Sequence, residues 1–542
     1  MSGNPGTLTN RWSARNQVVL FLVLITLAVY GVMLTSGFQV GSYDDDATYI
    51  NLAHALQSGQ GYVDMAWTQP QPHTLYPPVY PLLLTPLLMA FDYEWLLRLN
   101  FLPLQLLSLA MILSSLVFLY LALRRLSPHY AEVVTCVAAF SPSIAGTTVQ
   151  VMSEAPYLFF SMVALYAATV WRPGSNRWLV AASSAAALAS VTRVIGVALL
   201  ASFVLFSWTV GRQSRKAWLT MVALALLPII GWCIRNYVLG ASILGGYKVV
   251  FVPGQSSNYG SVVINNLHTI IFSTIPSAIL PGLTSPQVTN WLGRRGLSFV
   301  PRAIGLAIVL LVVLGYRQQW RAKVAPQELY VPLYIGIVVL TSFALDAGGR
   351  YVMPILPFLL LYLFRGTEFV FGRMFPNRAP TTLPVGVVTS CAIGLISLGV
   401  FRDIQAVVNP VRQRIPDITQ GTTWLRQNTR PQSVVMTRHY RDVYLYAQRK
   451  LELFPAQLRS AGELARMLPC AGVDYVLVQP ALATGLPFQW DEYTASVVVP
   501  ALASRPDVYA LEFMSADHLS AVYEVKQSKP NECVMDGFRS NS

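Results

Sequence analysis

The chain has 542 residues, of which 54% are hydrophobic and 12% charged, with a mean hydropathy of +0.48. A soluble domain carries about twice that charged fraction, so the composition excludes a chain folded wholly in water and points to a multi-pass membrane protein. The formal net charge of +13 implies no nucleic-acid partner, because the Lys and Arg residues gather mostly at one set of span ends.

Residues 1–16 are polar and the first apolar run is long enough to span, so no cleavable signal is expected. Arg11 and Arg15 precede span 1, about 17–36, and put the N-terminus in the cytoplasm. A long loop, about 37–94, follows. It carries Tyr43-Asp44-Asp45-Asp46-Ala47-Thr48-Tyr49, where Tyr49, Leu52, Ala53 and Leu56 form one apolar helical stripe stopped by Gly59 and Gly61. Next come Tyr76-Pro77-Pro78-Val79-Tyr80-Pro81 and an apolar run, Leu82 to Phe91, too short to span and so interfacial or re-entrant.

Span 2 covers about 95–123 and ends at Arg124 and Arg125; span 3 covers about 130–148; span 4 begins near Ser153-Glu154 and ends at Arg172. Residues 178–210 are too long for one span and read as two short helices meeting at Ser190-Val191-Thr192-Arg193. Span 7, about 217–234, leads into a second long loop, about 235–298, with an amphipathic piece near Ile264 to Ile275. Spans 8 to 11 cover about 299–316, 327–345, 351–364 and 383–401.

Basic pairs and triples then fall at the cytoplasmic ends throughout, as the positive-inside rule requires. The reading is a polytopic α-helical membrane protein with about 11 transmembrane helices over residues 1–401, followed by a C-terminal soluble α/β domain, 402–542, on the outer face. In that tail Thr422–Asn428 and Ala461–Leu468 look helical, and Ser433–Thr437 and Tyr475–Gln479 look like strands. Cys470 and Cys533 can pair if the tail is extracytoplasmic, whereas Cys136, Cys233 and Cys391 lie in apolar runs.

The outer face gathers acids (Asp44, Asp45, Asp46, Glu154) and bases (Arg193, Arg235, Lys248, Arg350). Ionisable groups near membrane depth are costly and face a cavity or one another. The plainer reading is that the carboxylates cap helices and the arginines snorkel to headgroups. The functional one is group transfer from a lipid-linked phosphate: a carboxylate takes the proton of an acceptor hydroxyl, and Arg neutralises the phosphate leaving group through bidentate hydrogen bonds. No metal spacing occurs among the His and Cys residues, and a divalent ion shared between the long outer loops, for instance through His268, is left open.

In order and sidedness this set resembles the GT-C class of polytopic glycosyltransferases, specifically the bacterial relatives of protein O-mannosyltransferases and aminoarabinose transferases. The matching pieces are Asp44-Asp45 with its helix, Tyr76-Pro77-Pro78-Val79-Tyr80-Pro81, Arg98-Leu99-Asn100, Ser153-Glu154, Thr192-Arg193, Arg235-Asn236-Tyr237, Arg350-Tyr351-Val352-Met353-Pro354 and Trp424-Leu425-Arg426-Gln427-Asn428-Thr429.

The resemblance implies a polyprenyl-phosphate sugar donor used with inversion, a glycan, lipid or protein acceptor, and a site on the outer face of the bacterial cytoplasmic membrane. It implies a first-loop Asp as general base, Asp44 preferred and Asp45 its rival, with Asp46 as helix cap and Glu154 as the second-loop acid. Arg193, Arg235 and Arg350, with Tyr76, are the expected donor-phosphate residues. Tyr76 stands where aminoarabinose-type relatives have a Lys, which removes one phosphate contact. The competing classes are a lipid or glycolipid flippase, suited by broken helices but lacking an inverted repeat, and a non-catalytic membrane scaffold, which has no use for the carboxylate triplet.

Overall fold

The computed structural model describes residues 14–35, 38–41, 44–171, 176–210, 215–243, 259–322, 324–340, 348–375, 392–402, 404, 418–438, 440–454, 460–479 and 492–526. Five helices are long and apolar enough to cross a membrane: Leu102–Leu126, Leu219–Val238, Gly260–Ile279, Val300–Ala322 and Arg350–Met374. Shorter apolar helices, among them Glu154–Val170 and Val194–Phe206, pack between them. The fold is that of a polytopic helical membrane protein.

Several elements differ from the sequence expectation, each for a local reason. The expected third span is broken: Ala131–Ala139 ends at Phe140, Pro142 opens a one-turn helix, and Gly146–Thr148 continue as a 3-10 turn. Pro142 has no N–H to bond back into the preceding helix, so the run restarts there. The second-loop amphipathic piece is longer than expected, running from Tyr259 through a π-helical segment, Ile270–Thr274, to Ile279. Its length allows a span, but its partners lie at one end of the bundle. Asn266 donates to the Val339 carbonyl at the end of Pro326–Val339, and Pro276 packs on Gly305 near the start of Val300–Ala322. The expected ninth span reaches Val339 as helix, and its remainder, 341–347, lies outside the described residues, as do 383–391 of the eleventh.

Residues 178–210 form two helices, Asn176–Ser190 and Val197–Val210, joined by the 3-10 turn Val194–Gly196. Ala182, Ala185, Ala186 and Ala189 bury one face of the first against Glu154–Val170. Small residues also set the tightest helix pair. A Cβ on Gly315 would sit 1.7 Å from the Tyr362 carbonyl oxygen, and one on Gly366 would sit 1.9 Å from that of Leu311. Val300–Ala322 and Leu356–Met374 therefore touch backbone to backbone, as small residues allow in lipid, where no hydrophobic force drives helices together.

Residues 418–526 carry a five-stranded mixed sheet in the order Lys450–Leu453, Val434–Thr437, Tyr475–Val478, Ala521–Val525, Tyr509–Met514. The first three strands are parallel and the last two antiparallel. The helix Tyr440–Ala447 makes the crossover that a parallel pair requires. Cys470 is disulfide-bonded. Cys533 lies outside the described residues.

Candidate functional site

The Asp triplet opens the first-loop helix, Asp44–Gln57. Successive helical residues point about 100° apart, so the three carboxylates cannot share one job. Asp46 is fully buried and caps the turn before the helix: its Oδ2 accepts from the Gly41 N–H and its Oδ1 from the Ala47 N–H, both at 2.8 Å. Asp45 turns the other way, toward the spanning helices. The side chain of Asp44 lies outside the described residues.

Asp45, Glu154, Arg193 and Arg350 form one charge cluster. Arg350 bridges both acids, with Nη2 3.0 Å from Asp45 Oδ2 and Nε donating to Glu154 Oε1. Arg193 Nη1 lies 2.7 Å from the same Glu154 oxygen and 3.1 Å from Ser153 Oγ. Glu154 is 2% exposed and its Oε2 has no hydrogen-bond partner among the described residues, whereas the Asp45 side chain is 29% exposed. Two carboxylates meet two guanidiniums, so the cluster is balanced, and Asp45 and both arginines stay partly exposed while Glu154 is buried. Tyr76 donates its hydroxyl to Asp45 Oδ1 at 2.5 Å, and Tyr49 donates to Ser153 Oγ at 2.8 Å. The rings of Tyr49 and Tyr76 pack at 4.9 Å and form one wall.

Each charged member sits at an irregularity that frees it from a regular helix flank. Glu154 is the first residue of Glu154–Val170. Arg193 has extended backbone at the break between two helices, and Arg350 lies in the 3-10 stretch Gly348–Ile355. The Tyr-Pro-Pro turn docks on that same break, where Val79 N–H donates to the Val191 carbonyl at 3.2 Å.

Arg235 does not join the cluster's ion pairs. Its Nη1 donates to the His73 carbonyl at 2.9 Å and its Nη2 to that of Tyr62 at 3.3 Å, and its guanidinium lies 5.0 Å from the Trp232 ring. It clamps the first long loop, and the neighbouring Asn236 does the same by donating to the Thr74 carbonyl at 3.1 Å. His73 is buried beneath Tyr76 and accepts the Tyr76 N–H through Nε2. Burial, with Arg441 and Arg235 nearby, pushes its pKa down to about 3, so the ring is neutral at ordinary pH. Lys248 lies outside the described residues. Among the described residues no group of three or more His, Cys, Asp and Glu is placed to hold a metal ion.

Residues given no role by the sequence reading hold the loop from the far side. Asn100 accepts the Val40 N–H at 3.0 Å and donates to the Phe38 carbonyl. Tyr446, from the sheet-bearing tail, accepts from Gln39 at 2.5 Å and donates to the Val40 carbonyl. Asn51 reaches the Arg441 carbonyl at 3.0 Å, Tyr93 reaches that of Leu445 at 2.9 Å, and Leu451 N–H reaches that of Ala66 at 2.8 Å. Trp67 pairs with Leu451 as a parallel bridge at the sheet edge. Arg98-Leu99-Asn100 was the one signal in the sequence for this support, and no local pattern marks Tyr446.

No family model and no curated protein sequence matches the chain. Among solved structures, the chain is similar to the archaeal oligosaccharyltransferase of Archaeoglobus fulgidus tethered to an acceptor peptide, at 12% identity and a TM-score of 0.50, covering 96% of this chain and 75% of that one. It is also similar to ArnT from Cupriavidus metallidurans in its apo state (15% identity, TM-score 0.49) and bound to undecaprenyl phosphate (15%, 0.48), each covering 94% of this chain and 98% of that one. The likeness to the archaeal structure is one of fold.

Proposed function

We propose that this chain, with its GT-C fold, is a membrane glycosyltransferase. It moves a hexosyl or pentosyl unit from a polyprenyl-phosphate donor to an acceptor hydroxyl, with inversion, on the outer face of the bacterial cytoplasmic membrane. Residues 1–401 hold the spans and the site, and 402–542 form an extracytoplasmic domain. The acceptor is a glycan, a lipid or a protein; the archaeal oligosaccharyltransferase of the same fold takes a peptide.

The observation that carries this reading is the Asp45–Arg350–Glu154–Arg193 cluster at one end of the bundle. Asp45, rather than Asp44, is the proposed base, because Asp45 is the described first-loop carboxylate that reaches the arginines. Arg350 pairs with Asp45 at 3.0 Å and occupies one of its two oxygens. A donor phosphate competes for the same planar fork. When Arg350 and Arg193 turn to the phosphate, the Asp45 oxygen that Arg350 held is free to accept the proton of the acceptor hydroxyl. Glu154 holds the two guanidiniums side by side through one oxygen, and Tyr76 orients Asp45 from the opposite side. Arg235 holds the loop that presents Tyr76.

The test is to incubate purified protein with a panel of polyprenyl-phosphate sugars and acceptors and to measure sugar transfer in Asp45→Asn and Asp44→Asn. A drop of about two to four powers of ten in Asp45→Asn, with donor binding kept, is the expected size for a general base. Full activity in Asp45→Asn with loss in Asp44→Asn moves the role back one residue. Full activity in both removes the mechanism.

A further inference from the structure

A second basic group lies outside the cluster. Arg294, Arg295 and Arg302 fall within the nine positions that follow Pro286–Gly293, and all three are exposed. No Asp or Glu occurs anywhere between Glu154 and Glu328. Among the described residues none of the three arginines has a carboxylate partner. They sit on the same side of the bundle as Arg350. Val300–Ala322 starts against the Ile275–Ile279 helix, and that helix packs on the Gly348–Ile355 stretch. Positive charge at this end runs against the bias that gathers Lys and Arg at the opposite ends, so it calls for a partner of its own.

The apolar residues among these arginines are also exposed. Trp291 is 53% exposed and Phe299 62%. The exposed row then continues down the spanning helix through Ile304, Leu306, Leu310 and Val313. Trp and Arg interleaved at the head of a lipid-facing helix match the chemistry of the headgroup layer. Arg295 stacks over Trp291 at 4.0 Å. A guanidinium held by its face keeps its N–H edge for a phosphate.

We infer that Trp291, Arg294, Arg295, Phe299 and Arg302 form an anchoring surface for anionic phospholipid headgroups in the leaflet on the side of the proposed active site. The aromatic rings and the exposed face of Val300–Ala322 take the acyl region, and the arginines take the phosphates. The carbonyl–arginine clamp at Arg235 and the Glu154 cluster play no part in it. The surface fixes the depth of this end of the bundle, where a lipid-borne donor has to enter.

Native mass spectrometry of the full-length chain in mixed micelles with equimolar phosphatidylglycerol and phosphatidylcholine tests this surface. Wild type is expected to retain phosphatidylglycerol preferentially. The triple variant R294Q/R295Q/R302Q is expected to lose at least fivefold of that preference, roughly what one arginine contributes at an anionic surface, while the corresponding triple Lys variant keeps most of it. A control variant at the other end, R317Q/R321Q, is expected to leave this class of retained lipid in place. An unchanged preference in the Gln triple variant overturns the inference, and so does an equal loss in the control. A raised donor KM with unchanged phosphatidylglycerol retention also overturns it, since the surface then serves the donor and not the surrounding phospholipid.

Discussion

Arg350 serves two acids with two different nitrogens, Nε toward Glu154 and Nη2 toward Asp45. A single ammonium cannot span both, so Arg350→Lys is expected to lower kcat by about 10–100-fold with expression unchanged, because it keeps the charge but loses the planar fork. Glu154 is the opposite case, a buried acid between two guanidiniums. Glu154→Gln leaves two guanidiniums side by side with only Asp45, on Arg350, to balance them, and breaking such a buried pair costs about 3–5 kcal/mol. A clear fall in Tm is expected beside the loss of activity. His73 predicts a pH dependence. Its folded pKa is about 3, below the ordinary value of 6.5, so the unfolded chain takes up a proton that the folded chain refuses. Its contribution to stability is complete above about pH 6.5 and is lost as pH falls toward 3. A Tm–pH profile is expected to flatten over that window in His73→Gln, whose amide oxygen still accepts the Tyr76 N–H.

At the scale of elements, the contact between Val300–Ala322 and Leu356–Met374 depends on two absent side chains. Gly315→Ala places a methyl 1.7 Å from the Tyr362 carbonyl oxygen, and only a shift of the whole helix relieves that. Overpacking of this kind costs about 1–3 kcal/mol or more, read as a lower yield of folded protein and a lower Tm in detergent. Gly336→Ala is the matched control, since nothing lies within 4 Å of its added Cβ. The first-loop helix depends on a neighbour far away in sequence. Tyr446→Phe keeps the ring in its core position and removes the hydroxyl that ties Gln39 and the Val40 carbonyl. The expected result is a several-fold loss of kcat with little change in donor KM and in the fold of the tail. An unchanged kcat shows that Asn100 and Asp46 hold the turn without it.

At the scale of the molecule, the sheet-bearing tail and the spanning bundle grip the first outer loop between them, the bundle through Arg235, Asn236 and Val191 and the tail through Tyr446, Leu445 and Leu451. The tail must therefore lie on the same side of the membrane as the Asp triplet. Reporter fusions after Ser214 and after Gln448 are expected to give opposite signals, and matching signals overturn the proposed sidedness of both the tail and the site.

Composition and the 20-residue scale of the bilayer were enough to identify a polytopic membrane chain. The tail's short runs, Val434–Thr437 and Tyr475–Val478, were recognisable as strands because hydrophobic length and turn spacing are local properties. Glu154, Arg193 and Arg350 stood out in the sequence because a charge near membrane depth is costly wherever it occurs. Which charges meet was decided by tertiary structure. Arg235 carried the same sequence signal as Arg193, yet it binds loop carbonyls, because it sits on an unbroken helix while Arg193 sits at a break. Asp46 caps a turn while Asp45 reaches Arg350, a difference of one helical step that composition cannot register. The tail's hold on the first long loop joins residues some 400 positions apart, Gln39 and Tyr446 at 407. No local pattern encodes a pair of that separation; it exists only once the chain has closed on itself.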